Sequence, residues 1–154
     1  MKRTSIQNGY TLVEVLIVIV LMTIISTFAI PAWQNYSNNI NLRTAAREVM
    51  ADIFNTRQRA IEENLNAYRL IFNVADNNYA LSRTDTGNTI WTKSLTSFGK
   101  GISFSSVNFN SGSIVSFQRR GTATMGNLVL TNLAGSTATI TVQITARTYV
   151  QYNM

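Results

Sequence analysis

The sequence of 154 residues has no cysteine, no histidine and a single proline, Pro31. Without cysteine the chain forms no disulfide and has no thiolate nucleophile. Without histidine it lacks the side chain that most often serves as a general base near neutral pH and most often binds zinc. The two absences therefore exclude thiol-dependent catalysis and nearly all zinc sites.

Acidic residues are also scarce, seven in all against 13 lysines and arginines. The last of them is Asp85, so the residues that follow supply neither a carboxylate pair for glycoside hydrolysis nor an acidic calcium site. Serine and threonine are plentiful, but no histidine activates them and no glycine-rich phosphate loop is present. The sequence thus predicts a protein that is not an enzyme and that needs no metal and no cofactor.

What the sequence does contain is a long apolar run, residues 15–30, after an N-terminal stretch with Lys2 and Arg3. As a helix, residues 10–32 would be about 34 Å long, enough to cross a hydrocarbon core of about 30 Å. The run is longer than the apolar part of a secretory signal, which has about 7–15 residues. Since no charge follows it until Arg43, the positive-inside rule predicts a cytoplasmic N-terminus and places the later residues outside.

Glu14 is an anomaly at the edge of this apolar segment, because an ionised side chain at a helix centre costs about 2.5–3.5 kcal/mol on insertion. One interpretation is that its side chain extends back to the lipid headgroups. The other is that the chain is cut after Gly9, which gives Tyr10 a free α-amino group about one helical turn from Glu14. Such a charge pair, within one chain or between neighbours, would fix the axial register of packed subunits.

The segment from Gly9 to Glu14 resembles the processing site of type IV prepilins and type II secretion pseudopilins. The resemblance implies that a prepilin peptidase cuts after Gly9 and methylates Tyr10, which stands where the family usually has phenylalanine. It also implies that Glu14 and Pro31 are assembly residues, although a proline here also fits a helix end. The implied partners are the prepilin peptidase, an inner-membrane assembly platform, membrane lipids and other pilin or pseudopilin subunits.

Residues 35–64 have the apolar periodicity of an amphipathic helix. We expect it to continue the membrane helix and to pack its C-terminal half on a globular head. Arg57 falls within the apolar arc, so it either extends to solvent at the core edge or contacts backbone carbonyls or an acid such as Asp85. The apolar arc consists of Leu42, Ala46, Val49, Ile53, Ala60 and Ile61, widened by Met50, Phe54 and Leu65, and the opposite arc of Glu48, Asp52, Gln58, Arg59 and Glu62.

After residue 65 the periodicity changes to short β-rich stretches separated by turn residues. The spacing suits an antiparallel sheet of hairpins with one face on the helix. The predicted strands are 67–74, 78–83, 102–109, 113–119, 127–132 and 138–150.

The predicted fold is α+β and type IV pilin-like: a long N-terminal helix, half transmembrane and half amphipathic, packed on an antiparallel β-sheet head. Its predicted segments are a leader peptide, 1–9, a transmembrane and assembly helix, 10–32, an amphipathic helix, 33–65, and a β-rich periplasmic head, 66–154.

The later residues extend the resemblance to GspH/FimT-type minor pilins and pseudopilins. At the C-terminus, Ala146 and Tyr149 stand where that family has glycine and a second arginine, in a segment linked to DNA uptake in some members. This departure weakens a DNA-binding interpretation, and the absence of cysteine favours a minor over a major subunit. The matching residues are Arg57, Ala60, Ile61 and Asn64 at the helix end, the stretch 68–72, and Phe117 before Gly121.

The head is basic, and three interpretations remain for its charge: a solvated surface, a docking surface for an acidic subunit, or a nucleic-acid site. Arg119 and Arg120, just before Gly121, are predicted at a hairpin tip, where guanidinium groups can bind phosphate or carboxylate. With Arg147 they are the predicted DNA-binding or partner-binding residues. The basic residues after Asp85 are Lys93, Lys100, Arg119, Arg120 and Arg147.

The favoured function is that of a minor pilin or pseudopilin, a structural subunit assembled by helix packing into a type IV pilus or a type II secretion pseudopilus, at the tip or in the initiation complex. The alternative is a DNA-binding minor pilin used in DNA uptake. A third interpretation is a single-span membrane protein that is never cut, and it predicts that a Glu14→Ala chain behaves like wild type.

Overall fold

The structure is a computed structural model that describes residues 10–154. The predicted leader, and Gly9 with it, lies outside the described residues. The chain falls into two units, of which the first ends at Tyr36 and the second spans Ser37–Met154. A 51-residue α-helix, α1 (Leu12–Glu62), contributes residues to both units, which are described in turn.

The first unit consists mainly of the N-terminal part of α1. Its most apolar window of 18 residues has a mean hydropathy of 2.7, and no residue of that window is buried. By length and composition this helix can cross a membrane. Pro31 lies inside α1, so the interpretation of this proline as a helix end is wrong. The helix continues although proline has no N–H to donate to the Thr27 carbonyl.

The second unit contains the C-terminal part of α1 and two four-stranded antiparallel sheets. The strands are β1 (Tyr68–Asn73), β2 (Asn78–Arg83), β3 (Thr89–Ser94), β4 (Ser103–Phe109), β5 (Ile114–Ser116), β6 (Gly126–Thr131), β7 (Thr137–Val142) and β8 (Thr148–Asn153). The first sheet has the order β3-β2-β1-β5 and the second β4-β6-β7-β8. A short 3₁₀ helix, Leu95–Phe98, follows β3. The α+β class is confirmed, but the head has two sheets where one was predicted.

One hydrophobic core takes side chains from α1 and from both sheets. Phe72 stacks on Tyr79 and on Phe109, with 5.8 Å between ring centroids in each pair, and Phe104 meets Phe72 edge-on at 5.7 Å. Leu42 and Ile53 of α1 are buried in the same core, and burial of each such large apolar side chain contributes about 1.5–3 kcal/mol, which holds α1 on the sheets. The apolar arc is confirmed for Leu42, Ala46, Val49, Ile53 and Ala60, which are buried, whereas Phe54 and Ile61 are exposed.

Three predicted features of the head are wrong. Asp52, placed on the solvent arc, is only 6% exposed and lies on the core face of α1. Strand β3 was not predicted, because this edge strand has three exposed and three half-buried residues and lacks a clear apolar alternation. The predicted strand 138–150 is two strands, β7 and β8, separated by a turn in which Ala146 has a φ of 56°.

Candidate assembly and partner-binding sites

The first turn of α1 is closed by a reciprocal pair of hydrogen bonds between Thr11 and Glu14. The Glu14 N–H donates to Thr11 Oγ1 at 3.2 Å, and the Thr11 N–H donates to Glu14 Oε2 at 3.4 Å. This is a capping box, which satisfies two of the N–H groups that a helix start leaves without partners. The partial positive charge of the helix N-terminus also stabilises the carboxylate. Glu14 therefore has compensation within its own chain.

The sequence contained the pattern for this cap, a threonine three residues before a glutamate, but the prediction assigned Glu14 only to lipid headgroups or to an amine. In the uncut chain the Tyr10 nitrogen belongs to a peptide bond, so it carries no charge for Glu14 to meet. Tyr10 itself is 86% exposed. The cap and the predicted amine would compete for the same carboxylate.

A shallow apolar groove runs along the same helix. The hydroxyls in it are all occupied: Thr23 donates to the Val20 carbonyl at 2.7 Å, Ser26 to Met22 at 2.7 Å and Thr27 to Thr23 at 2.9 Å. Hydroxyls that bond their own helix leave an apolar outer surface that lipid or another helix can cover. The groove is lined by Ile19, Met22, Thr23, Ser26, Thr27 and Ile30.

Arg119 and Arg120 lie exposed in a turn of the head, as predicted. The turn closes where the Gly121 N–H donates to the Gln118 carbonyl at 2.8 Å, and Gly121 has the left-handed φ of 80° that favours glycine. Two side chains fix its backbone from outside. Asn66 Oδ1 accepts the Arg119 N–H at 2.8 Å, and Arg57 Nε donates to the Gly121 carbonyl at 3.0 Å.

The hydrogen bond of Arg57 distinguishes the two predictions for this side chain, extension to solvent and contact with a backbone carbonyl or an acid. Its guanidinium bonds a backbone carbonyl, so the alternative of a side chain extended to solvent is wrong. Asp85 is not its partner, because Asp85 pairs with Arg83 at 2.6 Å. That hydrogen bond lowers the pKa of the Asp85 carboxyl.

Arg147 ends the turn between β7 and β8, where its carbonyl accepts the Gln143 N–H at 2.9 Å, and it is exposed. The Ala123 N–H donates to the Ile144 carbonyl at 3.0 Å, which sets the segment after Arg120 beside this turn. The structure therefore brings the three predicted arginines onto two neighbouring segments. Among residues 10–154, no carboxylate forms a salt bridge with any of the three.

The other two basic residues do not join them. Lys93 Nζ lies 2.8 Å from Asp52 Oδ2 and 2.8 Å from Glu48 Oε1, so two acids neutralise it. Lys100 lies in a different loop, whose flanking glycines pack against Asn41 and Leu133. The five basic residues of the predicted surface are thus not one patch.

The partners of Lys93 form a polar cluster at the core edge, which the sequence did not predict. The Tyr79 hydroxyl donates to Asp52 Oδ2 at 2.7 Å. Burial, and then this hydrogen bond to a carboxylate, raise the pKa of Tyr79. Burial alone would lower the pKa of Lys93, but its hydrogen bonds to Asp52 and Glu48 raise it overall. The cluster ties β2 and β3 to α1.

These shifts predict how the stability of the head depends on pH. The pKa values of Tyr79 and Lys93 are raised from 10.0 and 10.5, so above about pH 10 the unfolded chain releases protons that the folded chain keeps. We expect the free energy of unfolding to be constant with respect to these groups at neutral pH and to fall above pH 10. Urea unfolding in detergent, followed by Trp91 fluorescence in a Trp33→Phe background, measures this.

Trp91 is a local reporter because its ring lies 5.7 Å from the Tyr79 ring and 5.0 Å from Lys93 Nζ. As a control, Tyr79→Phe removes one of the two groups of this cluster whose pKa is raised, and it should make the fall above pH 10 shallower. A free energy of unfolding that rises with pH in this range would contradict the assignment.

Within residues 10–154 no group of three or more acidic residues is placed to hold a metal ion. Two described surfaces are suited to binding. The apolar surface of α1 can pack against another helix, and the exposed guanidinium groups of the arginine turns can bind anionic groups.

Comparisons with known proteins match the N-terminus and the fold separately. Residues 4–30 match the family described as the prokaryotic N-terminal methylation motif. The structure is similar to that of the minor pseudopilin EpsH from the type 2 secretion system of Vibrio cholerae, with a TM-score of 0.58 and 10% sequence identity over 72% of this chain and 96% of that chain. No match was found among curated proteins. The N-terminal motif and the shared fold are both features that the resemblance to type IV pilins and pseudopilins predicts.

Proposed function

We propose that this chain is a minor pilin or pseudopilin that assembles with other subunits by helix packing, at the tip or in the initiation complex of a fibre. A prepilin peptidase cuts it after Gly9 and methylates Tyr10. Residues 10–32 then hold it in the inner membrane, with the N-terminus in the cytoplasm and the head in the periplasm. An inner-membrane platform moves it from the lipid into the fibre.

The observation that supports this proposal most is the helix start. The span of α1 has no buried residue in its most apolar window, so its surface is free for lipid or for other helices. At its beginning stands one carboxylate, whose partner is a peptide N–H at the long distance of 3.4 Å. A protonated amine is a stronger partner for a carboxylate than a neutral N–H, because both groups then carry a full charge and attract each other directly. Cutting after Gly9 supplies that amine.

A DNA-binding minor pilin is the second candidate. It is favoured by the absence of any described salt bridge at Arg119, Arg120 and Arg147, since unneutralised arginines supply the phosphate contacts of nucleic-acid binding. It is opposed by the scarcity of exposed aromatic side chains near these arginines, since bound bases stack on such rings. Tyr149 is an exposed aromatic residue in this region.

Deletion of the protein, scored in parallel for surface pili, DNA uptake and secretion of exoproteins, separates these functions. A type IV pilus subunit predicts loss of pili, a pseudopilin predicts loss of secretion, and a DNA-binding subunit predicts loss of uptake with pili retained. Complementation with the wild-type chain is the control. A deletion that changes none of the three would contradict the proposal.

A further inference from the structure

An exposed cleft with both apolar and polar lining residues lies at one end of the second sheet, beside the arginine turns. Its volume is about 410 Å³. Met125, Ile144 and Tyr149 expose 48%, 62% and 41% of their surfaces, which is unusual for large apolar side chains grouped together. The lining residues are Met125, Thr141, Val142, Gln143, Ile144, Thr145 and Tyr149.

Two segments that carry arginines adjoin the residues that line the cleft. Arg147 lies in the turn between two lining residues, Ile144 and Tyr149. Arg120 precedes Met125 by five residues, so even a fully extended chain separates them by no more than about 17 Å. A bound segment of about five extended residues is therefore long enough to reach from Met125 to Arg120.

The backbone that carries this charge is already fixed. Hydrogen bonds from Arg57 to the Gly121 carbonyl and from the Arg119 N–H to Asn66 hold the turn. The hydrogen bond from the Ala123 N–H to the Ile144 carbonyl joins the segment after this turn to the cleft. Binding therefore costs little ordering of the backbone, which favours affinity. Guanidinium groups bind carboxylates with two parallel hydrogen bonds, and the residues after Asp85 contain no carboxylate side chain to occupy them.

We propose that this cleft binds an extended acidic segment of another protein of the assembly, with an apolar side chain in the cleft and carboxylates on Arg119, Arg120 and Arg147. The inference rests on the proposed function only for the identity of the partner as another subunit. A protein segment fits better than nucleic acid, because two of the three exposed apolar side chains, Met125 and Ile144, give no surface for base stacking.

Fluorescence anisotropy with the full chain in zwitterionic detergent tests the proposal. The probe is a labelled peptide of about ten residues in which glutamates flank a central leucine pair, and the matched peptide has lysines in place of the glutamates. We expect only the acidic peptide to bind, and Arg119→Glu with Arg120→Glu to weaken binding by about tenfold or more. Ile144→Ser should weaken it as well.

Lys100→Glu reverses one charge on an exposed residue in another loop, so it is the matched control for Arg119→Glu alone, and we expect its binding to be within about twofold of wild type. Absence of binding at low salt, or an equal loss in Lys100→Glu, would overturn the proposal. So would a DNA duplex of about 20 base pairs that binds at least as tightly as the acidic peptide.

The outcome is separable from the proposed function, because the residues that line the cleft all belong to the second unit, whereas processing and assembly are tested at the N-terminus. If the mature chain begins at Tyr10 but no peptide binds, the cleft assignment alone fails. If the peptide binds but the chain is never cut, the assembly assignment alone fails.

Discussion

A Glu14→Ala chain is expected to remain in the membrane and to be cut after Gly9, but to be lost from the fibre. In the proposed assembly the substitution leaves the new amine of Tyr10 without a counter-charge in an apolar setting. Removing one partner of a buried ion pair costs about 3–5 kcal/mol, which corresponds to roughly a hundredfold loss of incorporation or more. The measurement is the fraction of the protein in sheared or purified fibres relative to the membrane fraction.

Two further variants separate the charge of Glu14 from its role in the cap. Glu14→Gln keeps an oxygen that can accept the Thr11 N–H but removes the charge, and we expect it to fail almost as severely as alanine. Thr11→Ala keeps the charge and removes the hydroxyl that caps the helix, which costs only about 1 kcal/mol. A Glu14→Ala chain with the same distribution between fibre and membrane fractions as wild type would contradict the assembly role of Glu14.

The second large effect is expected from Asp52→Ala in the head. Asp52 is 6% exposed and accepts hydrogen bonds from the Tyr79 hydroxyl at 2.7 Å and from Lys93 Nζ at 2.8 Å. Its loss leaves a buried hydroxyl without a partner and an ammonium with one acid fewer. We expect the free energy of unfolding to fall by about 3–5 kcal/mol, measured by urea unfolding of the full chain in detergent.

Glu48→Ala is the matched control, because Glu48 lies one turn before Asp52 on α1 and contacts the same lysine at 2.8 Å. Its side chain is 43% exposed, so the pair is screened by solvent and its loss should cost about 1 kcal/mol or less. Equal losses in the two variants would show that burial of Asp52 is not what makes it important. Replacing Asp52, Tyr79 and Lys93 together by apolar residues should recover much of the stability.

The sequence was most informative where packing follows local periodicity. The buried stripe of α1 and strand β2 could be predicted because apolar side chains recur at the period of the element. It was least informative where a polar residue is buried. Asp52 looks like a solvent-facing residue unless its partners Tyr79 and Lys93 are known to lie against it, and they follow it by 27 and 41 residues.

Turns show the same division. The hairpin between β1 and β2 could be predicted from its asparagines, and Asn77 does adopt a left-handed φ of 49°. The turn between β7 and β8 instead places Ala146 at a φ of 56°, and alanine is not a residue that marks such a turn. The predicted strand therefore ran through it.

At the candidate sites, the sequence singled out Glu14 and the three arginines, but it did not predict which groups they contact. The cap by Thr11 is a local pattern that was available and was missed. The bond from Arg57 to the Gly121 carbonyl joins residues 64 positions apart, so its acceptor was not identifiable from the sequence.

The most direct test of the account is the N-terminal sequence and intact mass of the protein purified from membranes of cells that contain the prepilin peptidase. The account predicts a chain that begins at Tyr10 and carries one methyl group on its α-amino nitrogen, and an uncut chain in cells without the peptidase. A mature chain that begins at Met1, or at any residue other than Tyr10, would contradict it.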